Sequence, residues 1–397
     1  MSPAVAVSSY STSLAALLAA RPHVWLTTDA ELRWRTHRHG LAGPSLDLDR
    51  LARRHVGLHA ARQLTPWMTL HSRLPGAPAV ELRRALRERE LLRVRCMRRT
   101  LHLLPVDLAA IVHTATRRQR LSPCALARRR LGLTGSRGQV LEATVRTALD
   151  GGPLAYETLL KVTAARAAAY GRALANDRAR QTIKTMWEDG ELLLGDDSPS
   201  LHHEHRTFEL TERALGSGAL DHDSDTAITA LLEHYLRAYG PVAPRDFAWW
   251  SGIALSEARV AWEALADRLV RVTVDGVDGD LVAIGSTVAD LLDGDWPARP
   301  VPPVRVLAYE DPSLKGYFAT RGRYVDDAVR NCLFNTIGEA RASVLLNGRV
   351  GAVWHWNRAR QRADVDLLRR MGPDERRQVH DAVDAAVAFL RSEPRIV

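Results

Sequence analysis

Lysine is nearly missing from this chain of 397 residues. Lys161, Lys184 and Lys315 are the only three, so 52 of the 55 basic side chains are arginines. Cysteine is almost as rare: Cys96, Cys124 and Cys332 are odd in number, far apart and without metal-ligand spacing. That excludes a disulfide framework and a thiolate metal knuckle, and makes a reducing cytoplasm the expected location. No apolar run approaches the roughly 20 residues that cross a bilayer, so no membrane partner is expected. Ser13 to Ala20 is apolar but short, with no basic residue before it; it reads as a terminal helix rather than a secretory signal. The one histidine cluster, His202-His203-Glu204-His205, lacks the HExxH spacing and reads as a solvated loop tip. Neither a metal nor a cofactor is expected.

What is present is an ordinary globular composition, 46% hydrophobic and 25% charged, long enough for two or three domains, more if they are small. The formal charge is +9. Arginine favours planar, bidentate contact with phosphate and guanine edges, which points to an anionic polymer as partner. A GC-rich coding bias is an alternative cause of the Arg-to-Lys ratio; it does not explain the net excess.

The pattern along the chain is mainly α with small β. Between 224 and 286, Ile228, Leu231, Leu232, Tyr235, Leu236 and Tyr239 line one helical face, with Asp225 as N-cap and Gly240 as stop. A second helix runs from Pro244 to Trp250, and a third starts at a Ser256 cap and ends near Asp267. Strands follow at Leu269 to Val274 and Leu281 to Ile284, around an Asp275-Gly276 turn. Three helices and a two-stranded wing make a winged helix. The order recurs upstream. Residues 136 to 212 predict helices at 140–149, 156–162 and 176–189 with strands at 191–194 and 207–210. Residues 28 to 105 predict helices near 28–40, 46–59, 64–74 and 78–89 with strands at 91–96 and 100–104. Pro297, Pro300, Pro302 and Pro303 then make a stiff linker. Beyond it, strands at 304–309, 342–346 and 349–354, with an Asn347-Gly348 hairpin turn, form a small β unit closed by an amphipathic helix from Pro373 to Arg391. The expected domains are 1–135, 136–222 and 223–296, all winged helices, and 297–397.

Tandem winged helices on a basic chain favour duplex DNA, although winged helices also dock proteins. Four segments carry a resemblance. Gly57-Leu58-His59-Ala60-Ala61 with Pro66 to Leu74 is similar to the N-terminal signature of the AlkZ/YcaQ-like alkylpurine DNA glycosylases. Met97-Arg98-Arg99-Thr100-Leu101-His102-Leu103-Leu104-Pro105 resembles that family's Met-Arg-Gly-Thr-Leu-His-Leu segment, with Arg99 in place of glycine. Tyr309 to Tyr317 and Val344 to Trp354 resemble its C-terminal barrel motifs. The four fall in register over nearly the whole chain. The resemblance implies tandem winged helices followed by a C-terminal β-barrel, holding damaged double-stranded DNA and cleaving the N-glycosidic bond of N7-alkylated purines.

In that family the Gly-Leu pair precedes Gln-x-Gln or Gln-x-Asp, which position a water near the sugar; this chain has His59 and Ala61. An N7-alkylguanine is already a cation and leaves without a general acid. What remains is an oxocarbenium-like sugar and the water that traps it. His59, if neutral, can orient or deprotonate that water, and Ala61 can do neither; a helix-surface histidine left after activity decayed is the other reading. Gln63 is a nearby amide that could substitute. Arg62, Arg98 and Arg99 are candidate phosphate contacts, with Thr100 and His102 in the same matching segment. Lys184 lies on the helix expected to enter a groove, and Arg349, His355 and Arg358 surround the C-terminal hairpin, where the family places a DNA-probing element. Trp249, Trp250 and Trp354 are expected in the core. The expected activity is that of a monomeric, cytoplasmic DNA glycosylase for bulky, antibiotic-type N7-alkylguanine adducts, serving repair or self-resistance. A lesion binder that does not cut and a winged-helix transcription regulator are the alternatives.

Overall fold

The computed structural model describes residues 16, 18–43, 47–74, 79–196, 204–292 and 302–392. Ser13 to Ala15 and Leu17 of the N-terminal stretch, His202 and His203, and Pro297 and Pro300 of the linker lie outside the described residues. The chain is mainly helical with some sheet. It divides into two compact units, one made of residues up to 81 together with 228–394, the other of 82–227.

The unit spanning 82–227 carries helices Arg117–Arg130, Ser136–Leu149, Tyr156–Ala167 and Ala175–Asp189, followed by antiparallel strands Leu192–Asp196 and Arg206–Leu210. Leu141, Val145 and Leu149 recur every four residues, so one stripe of their helix faces inward and is fully buried. Each such side chain contributes about 1.5–3 kcal/mol by leaving water. The last helix stops at Gly190, whose φ of 91° is left-handed; a Cβ there would sit 2.7 Å from the His113 ring, so only glycine fits. A second hairpin pairs Leu91–Arg95 with Leu101–Pro105, and Arg93 pairs with Leu194, which joins the two hairpins into one sheet.

In the other unit, helix Ser224–Tyr239 from Ile228 on, and helices Pro244–Ser251 and Arg259–Leu265, lead into strands Leu269–Val274 and Val277–Ile284. The cap of the first helix is Asp223 rather than Asp225: its carboxylate accepts the Asp225 N–H at 3.1 Å and the Thr226 hydroxyl at 2.9 Å. Strand His23–Leu26 pairs in parallel with Leu269–Val274, an addition the local pattern did not announce.

The expected C-terminal barrel is instead an open sheet. Val304–Leu307, Ser343–Leu346, Arg349–Asn357 and Arg362–Leu367 are antiparallel neighbours in that order, and among the described residues the two outer strands do not meet. Four strands are too few to close around a filled interior. Helix Pro373–Arg391 covers the sheet instead, burying Val379, Val383, Ala386, Val387 and Leu390 against Val344, Leu346 and Trp354. The Asn347-Gly348 turn is present as expected, both residues having positive φ (48° and 78°).

Candidate active site

His59 is not on a helix. Helix Leu48–Arg54 ends at His55, Val56 and Gly57 turn the chain through left-handed φ values of 53° and 97°, and His59 closes the two-residue strand Leu58–His59. The reversal tucks the imidazole inside, 7% exposed, rather than onto a solvated helix face. Its Nε2 lies 3.7 Å from Oε2 of Glu310.

Glu310 follows strand Val304–Leu307 and has a left-handed φ of 56°, a conformation that costs a non-glycine residue about 1–2 kcal/mol. Two anchors hold it. Its Oε1 accepts the Ala340 N–H at 2.5 Å, and its own N–H donates to the Ala340 carbonyl at 2.9 Å. The next residue, Asp311, is fully buried. Its oxygens accept from Arg73 Nη1 at 2.9 Å and Nη2 at 2.6 Å, while Oδ1 also caps the short helix Pro312–Lys315 through the Ser313 N–H at 2.9 Å. That helical turn returns Lys315 to Glu310: its ammonium is 3.0 Å from Oε2, donates to the Gly338 carbonyl at 2.8 Å, and sits 4.3 Å from the centre of the Trp249 ring. Trp249 is half-buried and stacked on Phe318, so it belongs to the rim, whereas Trp250 and Trp354 are core.

Arg62 is exposed, and its guanidinium lies 3.5 Å over the Tyr309 ring. Burial pushes the Tyr309 phenol above its usual range, and the nearby Glu339 carboxylate pushes the same way. Glu339 is held below the usual carboxylate range by the Tyr309 hydroxyl and by the Asn335 amide, 2.7 Å away. Gln63 is half-buried at the position before helix Leu64–His71, and Ala61 is exposed. His59 and Arg62 thus meet a segment 250 residues away, Tyr309 to Lys315. Glu310 and Lys315 were not singled out by sequence reasoning. They lie inside one of the four matching segments, and an unusual Glu-Asp-Pro start followed by one of only three lysines was the available signal.

The C-terminal candidates have other surroundings. Arg349 is exposed, ion-paired with Asp326 and donating to the Gly322 carbonyl at 3.2 Å. His355 and Arg358 are exposed on and just after strand Arg349–Asn357. In the 82–227 unit, Arg98 and Arg99 form the hairpin tip with φ of 49° and 59°. Arg99 therefore occupies the left-handed backbone that glycine would take freely. The Thr100 hydroxyl donates to the Met97 carbonyl at 2.9 Å. His102 is buried, its Nδ1 3.4 Å from Cys96 Sγ. Lys184 is exposed on helix Ala175–Asp189.

A buried carboxylate, an imidazole at its edge and a lysine neutralising it can orient a water and take up its proton, while offering a departing base no acid from the carboxylate itself. No helix among the described residues is long and apolar enough to cross a membrane. No curated protein sequence matches the chain. Its fold is similar to that of the Streptomyces sahachiroi DNA glycosylase AlkZ, with a TM-score of 0.72 at 20% identity over 92% of this chain and 98% of that one. Residues 52–389 match the family described as DNA glycosylase AlkZ-like, and the chain belongs to that family.

Proposed function

We propose that this protein is a DNA glycosylase that releases bulky N7-alkylguanine adducts from duplex DNA, with His59 as the residue that orients and deprotonates the attacking water. Family membership supports the bond that is cut. The observation that carries the reading is the burial of His59 beside Glu310, at the position where relatives are expected to hold a water-positioning amide. Glu310 and Lys315 neutralise each other, so the cluster supplies the His59 imidazole as a base without placing a net charge beside the cationic sugar. That suits a leaving group already carrying positive charge and needing no proton. The three-helix-and-hairpin segments act as winged helices that grip the duplex, with Arg62, Arg98, Arg99, Lys184, Arg349, His355 and Arg358 as the cations that neutralise phosphates, and with Thr100 near the same backbone.

The test is incubation of the full chain with duplexes carrying N7-guanine adducts from methyl to intercalating, scoring base loss as alkali-sensitive breaks. Release from the bulky adducts is expected, slowed about a hundredfold or more in His59→Ala, as for removal of one positioned polar group. Tight binding to the alkylated duplex without release would favour a lesion binder. That second reading draws on Ala61, an exposed methyl where relatives are expected to carry an amide or carboxylate. Equal affinity for undamaged duplex would count against both.

A further inference from the structure

Of the buried acids in its unit, Glu310 is bound to partners of three kinds at once: a backbone N–H, an ammonium and an imidazole. Of these three, the imidazole contact, at 3.7 Å, exceeds hydrogen-bond length, and the other two do not. Contacts of this kind commonly shorten when a reacting complex forms. We propose that Glu310, ion-paired with Lys315, is the positioning residue that fixes His59 with its proton on Nε2 and leaves the opposite ring nitrogen as the proton acceptor for the attacking water. This inference rests on the glycosylase reading and adds to it the device that selects one tautomer.

The step balances without any further reagent. The C1′–N9 bond breaks and its electron pair neutralises the alkylated purine. A bond forms between water oxygen and C1′, the water proton passes to Nδ1 of His59, and the imidazolium is stabilised by the carboxylate facing Nε2 until solvent removes the proton. Lys315 sets the size of that stabilisation, because it competes with the imidazolium for the same oxygen, Oε2. The other charges near the pair are engaged elsewhere: Arg62 lies over Tyr309, Glu339 is bonded to Asn335, and Arg73 and Asp311 neutralise each other.

The geometry therefore makes two opposite demands on one imidazole. In NMR titrations of the full chain, Glu310→Gln is expected to lower the His59 pKa by about 1–3 units, the effect of losing an opposite charge at this range. Lys315→Met is expected to raise it. The acid limb of the pH–rate profile should move the same two ways, with kcat reduced in Glu310→Gln and KM for alkylated duplex unchanged. The double variant His59→Ala/Glu310→Gln should be no slower than His59→Ala alone. A His59 titration that is the same in the wild type and in Glu310→Gln, or that moves in one direction in both variants, overturns the proposal. Should Glu310→Gln unfold early, the Lys315→Met shift decides by itself. A wild type that releases no base while the two opposed NMR shifts are present would sink the glycosylase reading and leave the pairing standing.

Discussion

Glu310 and Asp311 are neighbours in the chain, both buried carboxylates, yet they sit in two differently built regions of one unit. Around Asp311 every demand is met at short range: Arg73 grips both oxygens, Ser313 donates its N–H, and Arg73 extends to the carbonyls of His39 and Thr69. The histidines there, His39 and His55, are wholly buried, and desolvation and the nearby arginines hold both well below the ordinary imidazole range. Packed among Tyr239 and Tyr317, they stay neutral and structural. Around Glu310 one contact is long and its partner is titratable. The difference teaches that buried histidines of one unit can have opposite surroundings: His39 and His55 sit among arginines and tyrosines, and His59 sits beside a carboxylate.

The contrast can be broken most forcefully at Asp311. Asp311→Ala strands the Arg73 guanidinium inside and should cost about 3–5 kcal/mol in urea unfolding, as for other broken buried pairs. Glu310→Gln should lower the urea midpoint by less, because Lys315 keeps the Gly338 carbonyl when its carboxylate is lost, while base release slows. Next in size is His59→Ala, where a hundredfold loss of rate, about 2.7 kcal/mol of barrier, should come without a matching drop in melting temperature. If stability fell in proportion, His59 would belong with His39 and His55.

A third effect follows from pH. The folded-state pKa values of His39 and His55 lie below the unfolded value of 6.5. Their contribution is therefore complete above about pH 6.5 and is lost as pH falls toward the folded values, because only the unfolded chain takes up the protons. Each is expected to remove up to about 1.4 kcal/mol per pH unit below that point. His113 in the 82–227 unit, lowered to about 3 by burial and by Arg120 and Arg117, adds to the slope. Urea midpoints at pH 7 and pH 5 measure it; equal midpoints would mean these rings already charge in the folded state. The smallest effect isolates the backbone strain that Glu310 carries. Arg99 has a similar φ, 59°, with an exposed side chain, so Arg99→Gly should stabilise by about 1 kcal/mol in thermal melts.

Much of the local architecture was legible. Helix Pro373–Arg391 and strand Leu269–Val274 fall where periodicity and β-branching put them, and the Asn347-Gly348 turn sits where its left-handed preference requires. What local pattern could not carry was pairing at long range. The parallel docking of His23–Leu26 on Leu269–Val274 leaves no signature in either segment. Closure of the C-terminal sheet into a barrel was an expectation of resemblance, and the structure replaces closure by a helix lid. At the site, His59 was singled out by its place in a motif, but its helical setting was wrong, because the left-handed turn at Val56 and Gly57 redirects the chain inward. Its partners Glu310 and Lys315 were invisible as partners, since the contact spans most of the chain.

The unit that holds His59 is assembled from two stretches of chain with residues 82–227 between them. On a ribosome, the intervening stretch is contiguous and can finish its own core while the earlier stretch still waits for its other half. His59 thus waits through about 250 residues of synthesis without its carboxylate, and the cluster comes into being only once Glu310 and Lys315 have been made. A nascent chain halted short of Glu310 would carry a completed insert while His59 still lacks its carboxylate, so that the pairing reports the arrival of the Tyr309 to Lys315 segment.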